Sequence, residues 1–268
     1  MTLKDLKKMT EKTLFCANGG LQTGAINADE IYLDRADEKI IIMVKSDIPY
    51  RRMGVAMMEA GEERGSSSWY AESYAIKRSL LKHLVCNDET KQLRFSFVNS
   101  EASYLSVGSS SIHIRGRPYG ALNDTFEKFI DAFKMNQLSK VFSCSFSVSR
   151  LSFLEALGMV TSIILPQFSC LLYLTVSSGR LVLQTFDFDD SVETEIPCDY
   201  SGEETRLTFE VKLLREIIEH IDTERFEIRF CMRGVDTAIL PVHSAQLAMP
   251  KYDYFFTLSQ RMKWRETR

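Results

Sequence analysis

The sequence has no Cys-x-x-Cys pair, no apolar run long enough to cross a membrane and no excess of basic residues. Each absence excludes something. The six cysteines, at 16, 86, 144, 170, 198 and 231, are scattered. They are read as free thiols in a reducing compartment, not as a zinc site or a disulfide framework. The longest apolar runs, such as 163–165 and 171–176, fall far short of the ~20 residues of a membrane span. The opening stretch, MTLKDLKKMTEKTLF, is charged throughout and lacks the apolar centre of a signal peptide. A cytoplasmic protein with no membrane attachment is expected. Lys and Arg number 33 against 36 Asp and Glu, a formal net charge of −3. That balance argues against a whole-surface nucleic-acid binder. It leaves room for a local basic strip, because fields depend on where charges sit.

Catalytic signatures are missing too. There is no GxxxxGK phosphate cradle, no HExxH and no GxSxG elbow. His83, His113, His220 and His243 are scattered along the chain. VGSSSIHIRG, at 107–116, lacks a helix start to offer anion-binding amides and reads as a hairpin turn. DFDDSVETE, at 187–195, alternates as a strand does and has no glycine-turned calcium loop. It reads as a solvated strand edge, protected by charge against pairing. No catalytic residue, metal ligand or cofactor is assigned, and the chain is not read as an enzyme.

What is present is periodicity. With 268 residues there is length for two domains, and the 45% hydrophobic fraction is ordinary for a folded protein. Apolar spacing predicts helices over 3–14, 73–85, 150–160 and within 207–230 (LTFEVKLLREIIEHIDTERFEIRF), where Val211, Leu214, Ile217, Ile218 and Ile221 form one face. Strands are expected at 30–33, 39–44, 91–98, 104–108, 111–116, 142–149, 192–200, 236–243 and 245–249. A hairpin turns at Ser178-Gly179. Residues 56–68 read as a loop. Phe146, Val148, Leu151 and Leu154 recur 63 residues later as Phe209, Val211, Leu214 and Ile217. Leu6, Leu80 and Leu154 recur at intervals of 74. The chain thus reads as four strand–helix–strands units, two per domain. That gives an α+β fold with the helices on one face of antiparallel sheets. The expected divisions are a domain over 1–125, a connection over 126–138, a second domain over 139–251 and an extension over 252–268.

The helices carry the cations. The first exposes Lys4, Lys7, Lys8 and Lys12 against Asp5 and Glu11. The second exposes Lys77, Arg78, Lys82 and His83 with no acid. The later two are weaker: Arg150 against Glu155, then Lys212 and Arg215 against Glu216 and Glu219. Helices sharing one side would make a positive strip that suits phosphates and reads no bases. An ordinary solvated helix face is the alternative.

IPCDYSGEETRLTFEVKLLREIIEHI, at 196–221, resembles the last domain of the bacterial DNA polymerase III beta subunit, the sliding clamp. Tyr200, Gly202, Glu203, Phe209, Val211, Lys212 and Leu214 carry the likeness. FSVSRLSFLEALGMV resembles that domain's first strand and helix, and SSGRLVLQTFDFDDSVETEIP the hairpin after it. AQLAMP, with Met249 and Pro250, resembles its closing strand. The first half is similar to the family's middle domain through LKDLKKMTEKTLF, EKIIIMVKSD and SIHIRGRPYG.

The resemblance implies a DNA-clamp-like fold and a processivity factor that encircles duplex DNA independently of sequence. It implies a clamp loader, and a polymerase or other clamp-binding peptide held in a groove at Ser46, Asp47, Leu247, Met249 and Pro250. The DNA-facing candidates are Lys4, Lys7, Lys8, Lys12, Lys77, Arg78, Lys82, Arg150, Lys212 and Arg215. The family closes a six-domain ring from two three-domain subunits, so a two-domain chain is expected to form a homotrimer. Only Ser46 and Asp47 stay close to the family's groove stretch. The alternative is a degenerate clamp fold that binds proteins without encircling DNA.

Overall fold

The computed structural model describes residues 1–17, 30–36, 39–46, 52–59, 73–97, 103–117, 131–133, 135, 137–162, 170–187, 190–232, 234–243 and 252–260. The chain divides into two compact units, Met1–Leu138 with Pro250–Tyr254 and Ser139–Met249 with Phe255–Arg268.

The first unit contains α1 (Leu3–Leu14), β1 (Glu30–Ala36), β2 (Lys39–Ser46), β3 (Arg52–Glu59), β4 (Ser73–Lys77), α2 (Arg78–Leu81), β5 (Arg94–Phe97), β6 (Ser103–Val107) and β7 (Ser110–Arg117). Its strands run in the order β3-β2-β1-β4-β7-β6-β5, antiparallel at every described pairing. Helix α1 starts on a capping box. Asp5 N donates to Thr2 Oγ1 at 3.2 Å, and Thr2 N donates to Asp5 Oδ2 at 2.9 Å. Its buried face, Leu3, Leu6, Met9 and Thr13, lies on β2 and β3.

Gly54 of β3 sets how closely α1 approaches. A Cβ there would meet Thr13 Cα, Thr13 Cβ and Cys16 Sγ, each at 3.1 Å. Gly54→Ala is therefore expected to destabilise the unit by about 1–3 kcal/mol, the usual cost of overpacking. Thermal unfolding measures it. An unchanged midpoint would mean that α1 does not rest on β3 this closely.

The second unit follows α3 (Leu138–Val141), which spans the boundary. It contains β8 (Cys144–Ser149), α4 (Arg150–Val160), β9 (Leu171–Ser177), β10 (Arg180–Asp187), β11 (Asp190–Asp199), β12 (Thr205–Glu210), α5 (Val211–His220), β13 (Arg225–Phe230) and β14 (Asp236–Val242). Strand β15 (Tyr252–Ser259) is shared between the two units as they are divided, and its Phe256–Ser259 part pairs with β14. The order is β12-β9-β10-β11-β8-β13-β14-β15. The β9–β10 hairpin turns at Ser178-Gly179, where Gly179 has φ 77.

The expected repeat of the last two units is present, but two residues out of step. The expected series Leu6, Leu80 and Leu154 does not hold, because the junctions at Thr2, Lys77 and Ser149 are not evenly spaced and Leu6 matches Phe153. The strand-to-helix junctions at Lys77, Ser149 and Glu210 share one extended backbone, with φ −66, −62 and −76 and ψ 127, 127 and 124. Aligning Ser149 with Glu210 sets an interval of 61, not 63. Phe146, Val148, Phe153, Ala156, Leu157 and Val160 then match Leu207, Phe209, Leu214, Ile217, Ile218 and Ile221, and all twelve are buried. The 63-residue interval had matched Leu151, which is 66% exposed, with fully buried Leu214. Aligning Thr2 with Ser149 brings Leu6, Met9, Thr10 and Thr13 onto the same four helix positions as Phe153, Ala156, Leu157 and Val160, again all buried.

Two expected elements change, and a third lies outside the described residues. Residues 73–85 are not one helix: Ser73–Lys77 is a strand and only Arg78–Leu81 is helical. Residues 56–59 continue strand β3 and do not belong to a loop. The strand that lies beside β14 is β15, within the expected extension, while AQLAMP lies outside the described residues.

Candidate nucleic-acid interface

Helix α1 has the strongest cationic face. Lys4, Lys7 and Lys8 are exposed, opposite the side packed on the sheet. Lys4 and Lys8 are one helical turn apart, and Lys4 to Lys12 spans about 12 Å at 1.5 Å per residue. Lys7 is tied to Glu89, with both side chains nearly half exposed. Lys12 is half-buried, with its ammonium 5.2 Å from the centroid of the Tyr254 ring. Lys12 thus acts partly as a packing residue. Asp5 is buried and committed to the helix cap, so Glu11 is the acid left on the exposed side of α1.

The second helix contributes less than its sequence suggested. Lys82 is exposed just after α2. Lys77 belongs to β4. Pairing runs Gly54–Val44, then Ile42–Leu33 and Leu33–Tyr74, so Tyr74 and Ile76 share the sheet face that α1 covers. Alternation puts Lys77 on the other face. The side chain of Arg78 lies outside the description. Because α2 is a single turn, a cleft of about 330 Å³ remains between it and α1, floored by Leu3, Leu6, Leu81 and Leu84.

In the second unit, α4 and α5 lie side by side and antiparallel, each supplying an arginine to the other's C-terminal end. Arg150 donates from Nε to the Ile218 carbonyl at 3.0 Å and from Nη2 to the Glu219 carbonyl at 3.3 Å. Arg215 donates to Thr161 Oγ1 at 3.1 Å. A guanidinium at a helix C-terminus satisfies orphan carbonyls and complements the dipole. Both arginines are half-buried, and their hydrogen bonds fasten the helix pair. Lys212 is exposed on α5, with exposed Glu219 and half-buried Glu216 on the same helix. The structure thus brings Lys4, Lys7 and Lys8 together on one helix face, with Lys82 across the cleft rim. It draws Arg150 and Arg215 into packing.

Sequence reasoning missed the partners. Glu89 lies 82 residues from Lys7, and the two carbonyls that hold Arg150 carry no side-chain signal at all. Of the expected peptide groove, Ser46 ends β2, with its side chain outside the description. Asp47, Leu247, Met249 and Pro250 also lie outside the described residues. The six cysteines are free, and burial pushes the Cys198 thiol pKa up. Among the described residues, no three His, Cys, Asp or Glu side chains gather into a metal site, and no helix is long and apolar enough to cross a membrane.

No family model and no curated protein matches the chain. Solved structures do. The chain is similar to the DNA polymerase III beta subunit of Thermotoga maritima, with a TM-score of 0.73 and 16% identity over 98% of this chain and 64% of that one. The beta subunit from Pseudomonas aeruginosa gives 0.70 and 12% over 98% and 65%. The DNA polymerase sliding clamp from Caulobacter crescentus gives 0.69 and 16% over 98% and 64%. The chain therefore spans just under two thirds of the length of the clamps it matches. Identities this low carry fold and no more: along 98% of its length, the chain has the fold of bacterial sliding clamps.

Proposed function

We propose that this protein is a sliding-clamp-like processivity factor, which encircles duplex DNA and tethers a polymerase. The observation that carries this reading is the clamp fold combined with the lysine face of α1, opposite its packed side. Lysines on flexible stems suit salt-sensitive and sequence-independent phosphate contact. A closed ring holds DNA topologically, so each contact stays weak and exchanges quickly. No catalytic step is needed. Six domains built from a two-domain chain require three copies. A loader opens the ring, and a clamp-binding peptide docks at Ser46, Asp47, Leu247, Met249 and Pro250.

The test is retention on DNA of different topology. The full chain is placed on nicked circular plasmid and passed through a sizing column, then compared with the same plasmid linearised. Retention on circles and loss from linear ends is expected. Equal retention on both forms would sink encirclement.

One set of observations favours the second reading, a clamp fold that binds proteins without enclosing DNA. Arg150 and Arg215 are held by the opposite helix, and α2 is one turn long. The cationic face is therefore concentrated on α1. The same experiment separates the two, because a module without a ring does not distinguish circles from lines.

A further inference from the structure

We propose that the cleft between α1 and α2 binds a medium-chain carboxylate, an organic anion with a linear apolar body. The inference depends neither on ring closure nor on DNA binding.

The cleft follows from the shortness of its second wall. Helix α2 stops after one turn, and the chain folds back through two turn bonds. His83 N donates to the Leu80 carbonyl at 2.9 Å, and Leu84 N to the Leu81 carbonyl at 3.1 Å. About 330 Å³ stays open beside α1. That volume lies at the lower end of the ~300–1,000 Å³ typical of ligand pockets.

The other wall is fixed without a ligand. Leu3 N donates to the Lys91 carbonyl at 3.2 Å, Lys4 N to the Glu89 carbonyl at 2.9 Å, and Leu93 N to the Met1 carbonyl at 3.0 Å. The start of α1 is thereby tied to the segment that follows α2. Binding between the two walls orders little chain, so little affinity is lost to ordering.

The lining selects the ligand. Leu3, Leu6 and Leu84 are 1%, 2% and 1% exposed, and Leu81 is half-buried. Leucines covered this well make a narrow slot, which admits a linear chain more readily than a ring. The rest of the lining does not suit a pure hydrocarbon. Thr10 brings a covered hydroxyl that has no hydrogen-bond partner. Lys82 stands exposed at the rim, with no carboxylate partner among the described residues. A ligand with an apolar body and a polar end matches both parts of the lining.

Charge sets the sign and size of that end. The ammonium of Lys82 calls for an anion. Lys7 also lines the cleft but is already shared with Glu89, and Glu11 adds a negative charge nearby. One open ammonium beside one carboxylate suits a single negative charge. A dianion, such as a phosphate monoester, meets repulsion from Glu11.

Isothermal titration of the full chain with octanoate tests this. A Kd of about 0.1–1 mM is expected for so small a ligand. Octanoate should bind about 4-fold more tightly for each methylene it has beyond hexanoate, the factor for burying one such group. Octanol, which lacks the charge, and octylammonium, which reverses it, should each bind about 10-fold more weakly than octanoate. Lys82→Glu should reverse the order, weakening octanoate and favouring octylammonium. Lys82 is exposed, so a native unfolding midpoint is expected of that variant and serves as its folding control. Equal binding of octanol and octanoate would overturn the carboxylate. An unreversed order in the natively folded variant would overturn the placement in this cleft. No binding of octanoate at millimolar concentration would overturn the inference outright. None of these outcomes touches the ring reading, which retention on circular and linear DNA decides.

Discussion

Phe153→Ala is expected to cost about 3–5 kcal/mol, the range for deleting a buried phenylalanine. Phe153 is fully buried and meets Phe226 edge to face, with ring centroids 5.2 Å apart. A loss of that size is a large share of the ~5–15 kcal/mol that holds a typical domain together. It should lower the unfolding midpoint of the second unit by roughly 10–20 °C. Leu151→Ala, two positions earlier on the same helix, should stay within about 0.5 kcal/mol, because Leu151 is 66% exposed. Urea or thermal unfolding of the two variants measures the contrast. Similar losses for both would restore the 63-residue register and overturn the 61-residue one.

That contrast also shows what the sequence could and could not yield. Helices α1, α4 and α5 were legible because their apolar residues recur three and four apart over ten or more residues. The β9–β10 hairpin was legible from alternation on either side of Ser178-Gly179. The repeat was legible as a fact but not in register. Val and Leu are common on both sides of a strand-to-helix junction, so several offsets give plausible matches. The junction's backbone angles distinguish among them, and those are not written in residue types. Only Ser149 of the three junction residues caps with its side chain, through Ser152 N; Lys77 and Glu210 do not. Residues 73–85 misled for a related reason. Ile76, Leu80 and Leu84 sit four apart, as on a helix, yet Tyr74 and Ile76 alternate into a sheet core, and tertiary burial decided between the two patterns.

The candidate site divides in the same way. Lysines four apart on an amphipathic helix declare an exposed face, and Lys4 and Lys8 are exposed. What a cation pairs with is set by distant chain. Lys7 finds Glu89, Lys12 finds the Tyr254 ring and Arg150 finds two carbonyls of α5. Counting cations per helix therefore overstates α2, which is a single turn with Lys77 in the strand before it, and does not see that Arg150 and Arg215 are committed to packing.

Reversing both open lysines of α1, as Lys4→Glu with Lys8→Glu, is expected to reduce DNA association by about 10–100-fold near 100 mM salt. The reason is counterion release. Each phosphate contact contributes close to one unit to the slope of log affinity against log salt, so losing two should lower that slope by about 2. The loss should be the same for every DNA sequence, because backbone contacts carry no base information. Arg215→Ala provides the opposite pattern. Its guanidinium bonds Thr161 and fastens the end of α4, so the variant should lose stability and keep its salt slope. Fluorescence anisotropy with a short duplex at several salt concentrations reads both. An unchanged slope after the α1 reversal would remove that helix from the DNA surface and leave the protein-binding reading as the stronger one. A slope lowered by Arg215→Ala would return α5 to the DNA surface, with its guanidinium released from Thr161 when DNA is bound.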